Sequence, residues 1–94
     1  MAKSIMQLTK MCYMCGRSRQ LERHHVFFGP NRKNSEIFGL WVWLCPYCHR
    51  EGPRAVHRDY ESNLQLKRVG QQAFERTHTR SEFMRVFGRN YLDD

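Results

Sequence analysis

Two C-x-x-C pairs and a set of histidines carry the chemistry this sequence can do. Cys12 and Cys15 lie in CYMCG, Cys45 and Cys48 in CPYC, and His24, His25, His49 and His57 fall between or just after them. Each cysteine pair presents two thiolates from one tight turn, and the two pairs together complete a tetrahedron around zinc. Four sulfur ligands leave no open position, so such a site is structural and does no chemistry itself. The imidazoles differ. An imidazole titrates near neutrality, so it can hold a transition metal or take a proton from water.

These side chains need elements to position them. QLERHHVFF alternates as a strand, with Leu21, Arg23, His25 and Phe27 on one face and Glu22, His24, Val26 and Phe28 on the other. GPNRKNSE is turn chemistry with added positive charge, and IFGLWVWLC is an apolar run suited to a second strand pairing back on the first. Folding that hairpin brings the histidine doublet near CPYCH. Gly16 permits the reversed turn of the first knuckle, and Gly52 and Pro53 stop a brief helical turn after the second.

From Asp59 onward the period becomes helical. Asp59 can cap a helix carrying Leu66, Val69, Ala73 and Phe74, which Gly70 weakens without forbidding. Thr79 and Glu82 match a capping box for a last helix with Phe83, Val86 and Phe87, ended by Gly88. Residues 1–11 read as a loose lead-in, and no repeat or linker interrupts the chain. The expectation is one domain over residues 1–94, with a core at 12–58 and a helical extension at 59–92. The fold class is small α+β, zinc-stabilised.

Size and charge narrow the function. Ninety-four residues bury only a modest core, and domains this small commonly add a metal or disulfides. MAKSIMQLTKM lacks the apolar stretch of a signal peptide, and no run approaches the roughly 18 apolar residues of a membrane span. The expected location is cytoplasmic, where paired cysteines favour metal. A net charge of +7 points to an anionic partner, most simply nucleic acid and not a membrane. Arg50, Arg54 and Arg58 surround the histidine region and are the expected phosphate contacts.

The pattern C-x-x-C…HH…LC-x-x-CH, over about residues 12–58, resembles the HNH nucleases. The resemblance implies a ββα-metal core followed by C-terminal helices, and hydrolysis of DNA phosphodiesters with one catalytic divalent ion: Mg, Mn, Ni or Zn. It implies His24 as a ligand of that ion, His25 as the general base and His49 as a second ligand. VHR at residues 56–58 is similar to a later histidine in phage recombination-associated relatives, which makes His57 a third ligand. The same variety implies a phage or prophage gene acting in a bacterial cytoplasm, with a recombination or packaging partner left open.

Two features depart from the family pattern. Leu40 stands where the family has an asparagine that orients the base, with Asn34 or a backbone carbonyl as the replacement. His49 and His57 are eight residues apart across Pro53, where family ligands on one helix are typically four apart, so His57 must reach in from a loop. Neighbouring strand residues also face opposite ways. His24 and His25 therefore flank one phosphate only if the strand bends or ends there, as Gly29-Pro30 allows.

Other readings fit parts of the pattern. The knuckles also resemble those of rubredoxin-like electron carriers, but here the chain is basic and His49 follows Cys48. A non-catalytic zinc finger binding nucleic acid uses the same basic face without chemistry. Trp41, Trp43, Phe74, Phe83 and Phe87 are expected in the core, and His78 at a solvated helix end.

Overall fold

The computed structural model describes residues 2–93. Strand β1, Glu22–His25, pairs antiparallel with β2, Trp41–Leu44, in the register Glu22↔Leu44, Arg23↔Trp43, His24↔Val42 and His25↔Trp41. Side chains directly opposite share a face of the sheet. Glu22, His24, Val42 and Leu44 thus lie on one side, and Arg23, His25, Trp41 and Trp43 on the other. The architecture is a small α+β one built on this two-stranded sheet.

The connection between the strands is not the plain turn expected from the sequence. Gly29–Asn31 forms a single 3₁₀ turn with Pro30 in its first turn, and helix α1, Arg32–Phe38, follows it. Ile37 and Phe38, expected to open the second strand, belong to α1. The cause is tertiary. The Ser35 hydroxyl accepts from the Phe27 N–H at 3.0 Å and donates to the Phe27 carbonyl at 2.7 Å, folding the helix back onto the end of β1. Phe38 then packs edge-on against Phe74, with ring centroids 5.2 Å apart.

Gly39 closes α1 in the left-handed conformation, at φ 71°. Its carbonyl accepts from the Ile5 N–H at 2.9 Å, and a Cβ there would collide with the Lys3 carbonyl. The lead-in is therefore docked against the connection and not loose along its whole length. Gly39→Ala should cost at least about 1 to 3 kcal/mol for the backbone strain alone. A urea titration should show a lower midpoint; an unchanged midpoint would mean that Gly39 is neither held left-handed nor packed against Lys3.

The C-terminal half follows the sequence expectation closely. Helix α2, Tyr60–Phe74, starts at Asp59, whose carboxylate accepts from the Ser62 N–H. Helix α3, Arg80–Phe87, has the full Thr79/Glu82 capping box and ends at a left-handed Gly88. Phe27 from the end of β1 meets Phe83 and Phe87 at 5.3 and 4.7 Å, with Phe74, Leu40 and Leu44 buried in the same core. Gly70 has a packing reason: a Cβ there would press on Val26 and Phe27.

Two aromatic expectations change. His78 is half-buried and stacked on Phe74 at 4.3 Å, not solvated, because the chain turns back between α2 and α3 over that ring. Trp41 is buried but lies outside the main core: it sits on the sheet's other face beside Trp43, with the Arg23 guanidinium 3.8 Å above its ring. Among the described residues no helix is long and apolar enough to cross a membrane.

Candidate metal sites and the histidine strand

The two knuckles meet. In the first, the Gly16 N–H bonds back to the Cys12 carbonyl at 2.9 Å, with Gly16 at φ 82° as the reversed turn requires. In the second, the His49 N–H bonds to the Cys45 carbonyl at 2.8 Å as the chain enters the wide turn Tyr47–Glu51. The Tyr13 N–H donates to the Trp43 carbonyl at 2.8 Å, tying the first knuckle to β2. The sulfurs of Cys12, Cys15, Cys45 and Cys48 lie within 4.8 Å of one another, and none is in a disulfide.

Their acidities fit a cation's cage. Burial pushes the Cys12 thiol up, but backbone N–H groups around it outweigh burial and bring it down to about 6. Burial and the neighbouring sulfurs push Cys48 up. The Cys12 thiolate forms readily and Cys48 resists, since like charges cannot crowd into one site. A bound cation removes that conflict by deprotonating the others. The cluster can hold a structural metal such as zinc.

A second cluster stands on the Glu22 face of β1. His24, His49 and His57 bring ring nitrogens within 4.8 Å of one another. Their ring centroids are 5.1 Å (His24–His49), 5.0 Å (His24–His57) and 4.7 Å (His49–His57) apart. His57 arrives from its loop because the chain after Pro53 returns alongside the second knuckle. The Val56 N–H bonds to the Cys48 carbonyl at 2.9 Å and the His57 N–H to the His49 carbonyl at 3.1 Å. The eight-residue spacing is thus bridged by backbone pairing rather than by a helix.

Whether this trio suits a metal is decided by its nitrogens. His24 is 2% exposed, and its Nε2 is a buried polar atom without a hydrogen-bond partner among the described residues. Burial first, and then His49 and His57, push its pKa down to about 3, so the ring is neutral at physiological pH. Burial and His49 also lower His57. His49 Nδ1 faces Glu22 Oε1 at 2.7 Å. Glu22 is held down to about 2 by Arg50 and His49, so it is ionised and can only accept. His49 therefore donates to Glu22 through Nδ1, which turns its Nε2 to within 3.1 Å of His57 Nε2. Three imidazoles with converging ring nitrogens, one braced by a carboxylate behind it, suit a divalent transition ion. His57 is exposed, so one side of the trio opens to solvent.

His25 does not join the trio. Its ring turns to the other face, where Nε2 meets Glu36 Oε2 at 2.5 Å. Glu36 reaches there from α1, and its second oxygen accepts from Arg23 at 2.9 Å. The bond from His25, working against partial burial, and the Arg23 charge keep the Glu36 carboxyl below its ordinary range. A carboxylate held below its ordinary range accepts, so His25 donates through Nε2, and Nδ1 is the nitrogen left to carry a lone pair when the ring is neutral. The strand does end at His25, as the sequence reading required for the doublet to serve one place.

Asn34 is not the residue that holds His25. It donates to the Val86 carbonyl at 3.2 Å, so α3 has drawn it away, and Leu40 is buried in the core. Glu36 occupies that role, and the sequence reading missed it along with Glu22. Only Glu22 left a signal: two residues before His24, it shares that strand face.

The three predicted arginines are partly committed. Arg50 grips Glu22 at 2.6 Å and also meets Glu51. Arg58 donates to the Glu51 carbonyl at 2.7 Å, and Arg54, 81% exposed, lies 3.6 Å from Asp59. Comparison of the chain with protein-family models, curated proteins and solved structures gave no match.

Proposed function

We propose that this protein is a metal-dependent endonuclease or nicking enzyme of the HNH kind that hydrolyses DNA phosphodiester bonds, with a ββα-metal core spanning the sheet and second knuckle. The observation that carries the reading is the pair of histidine environments on adjacent residues of one strand. His24 carries a buried nitrogen with no partner among the described residues and belongs to an imidazole trio, and His25 is backed by a carboxylate on the other side. A structural role alone gives no reason for both. A buried histidine kept for packing would find a hydrogen-bond partner.

In this reading His24, His49 and His57 hold one divalent ion, Glu22 fixes the His49 tautomer, and the four cysteines hold zinc. The ion would neutralise phosphate charge and stabilise the departing oxygen. His25 Nδ1 takes a proton from water as its oxygen bonds to phosphorus and the bond to the leaving ester oxygen breaks, with solvent protonating that oxygen. Glu36 steadies the imidazolium that His25 becomes. The gene is of the phage or prophage type in the same reading.

Relaxation of supercoiled plasmid with Mg, Mn, Ni or Zn added singly tests the proposal. Nicked or linear product should appear with at least one ion. Salt-sensitive binding without any product under all four would make the protein a zinc-stabilised nucleic-acid-binding module instead.

A further inference from the structure

A cleft of about 670 Å³ opens beside β1 on the face away from the imidazole trio, lined by Arg23, His25, Gly29, Arg32, Lys33 and Glu36. Its cations fall into two kinds. Arg23 is spent on Glu36 and on the Trp41 ring. Arg32 and Lys33, at the start of α1, are exposed and pair with no acidic group among the described residues. By contrast Arg50, Arg54 and Arg58 all have partners. Gly29 at the lip has open space where a Cβ would stand, so a bulky backbone can approach closely there.

We infer that this cleft takes the sugar–phosphate backbone of a nucleic-acid strand that continues past the end of β1 toward the trio, gripped here by Arg32 and Lys33 beside His25. The inference rests on the nuclease reading for His25's role, but the binding it claims does not depend on cleavage. Unpaired cations near a buried imidazole leave the cleft with uncompensated positive charge, which a polyanion neutralises with release of its counterions. The strand-connecting helix, absent from the sequence reading, supplies the surface. It also carries Glu36, so substrate contact and the positioning of His25 come from one element.

The test is binding of a fluorescent DNA duplex across a salt series, without added divalent ions, for the full chain and for Arg32→Ala/Lys33→Ala. Both positions are exposed, and matching melting curves should show that the variant folds. The slope of log affinity against log salt should become shallower by about 2, one for each lost phosphate contact. Affinity near 0.1 M salt should fall on the order of tenfold. Arg17→Ala/Arg19→Ala removes the same charge outside the cleft lining and should change the slope less. An unchanged slope in the Arg32/Lys33 variant, or an equal change in the Arg17/Arg19 variant, overturns the inference. If the wild type nicks plasmid while the slope stays unchanged, the cleft fails and the nuclease reading stands. If the slope shifts as expected and nothing is ever cut, the cleft stands and the nuclease reading fails.

Discussion

If the protein cleaves DNA as proposed, His25→Ala should lower cleavage by about 10² to 10⁴, the usual contribution of a general base, while melting temperature, metal content and DNA affinity stay near those of the parent. His25 is 9% exposed and outside the main core, so its removal should leave the fold standing. Its loss also frees Glu36, which keeps Arg23 as a partner. His24→Ala loses activity by another route. It removes one nitrogen of the trio, so cleavage should recover in part at high Mn, and His25→Ala should not respond to Mn at all. Glu36→Gln separates positioning from structure. A neutral amide can accept or donate, so it no longer selects the His25 tautomer, and kcat should fall with KM little changed. Cleavage by His25→Ala at the parental rate would remove it as the base, whatever the trio binds.

The parts of this arrangement legible in the sequence are those that depend on spacing within one turn or one strand. Two C-x-x-C pairs announced a four-sulfur cluster because a knuckle is a local structure, and Asp59 and Thr79 announced helix starts because a cap needs only its own first turn. Alternation along β1 put Glu22 and His24 on one face and His25 on the other, as found. What failed was read through tertiary contact. RKNSEIF carries weak helix signals, and it becomes α1 because Ser35 bonds Phe27 and Phe38 finds Phe74. Reading those residues as turn and strand hid Glu36, whose reach to His25 exists only if the segment coils. The same error made Asn34 the natural candidate for a role that α3 prevents it from taking. His57 was reachable from the sequence as a loop ligand, but the backbone pairing that delivers it was not.

With zinc on the four cysteines, as the cluster allows, chelation or Cys45→Ser should unfold the protein rather than merely silence it. Cys45 is 1% exposed and lies 3.7 Å, sulfur to sulfur, from Cys15. It begins the turn that orients His49, and Cys48 in the same turn accepts from the Val56 N–H on the way to His57. The sulfur cluster thus holds the first knuckle, the end of β2 and the loop carrying the third imidazole to one point. Zinc in small modules contributes about 10 kcal/mol or more to folding, and a domain's whole stability is only about 5 to 15 kcal/mol. Losing the ion therefore consumes most or all of the margin. It also returns a crowd of buried thiols to a site where one of them, Cys12, ionises easily and Cys48 resists. Circular dichroism and a thermal melt on chelated protein should show loss of the cooperative transition, and re-adding zinc should restore it. Removing His24 instead should leave that transition in place, because the trio sits beside the cluster and does not tie the knuckles together. A chelated protein that still melts cooperatively above ambient temperature would show that the aromatic core of α2 and α3 holds the fold alone, and the four cysteines would need another purpose.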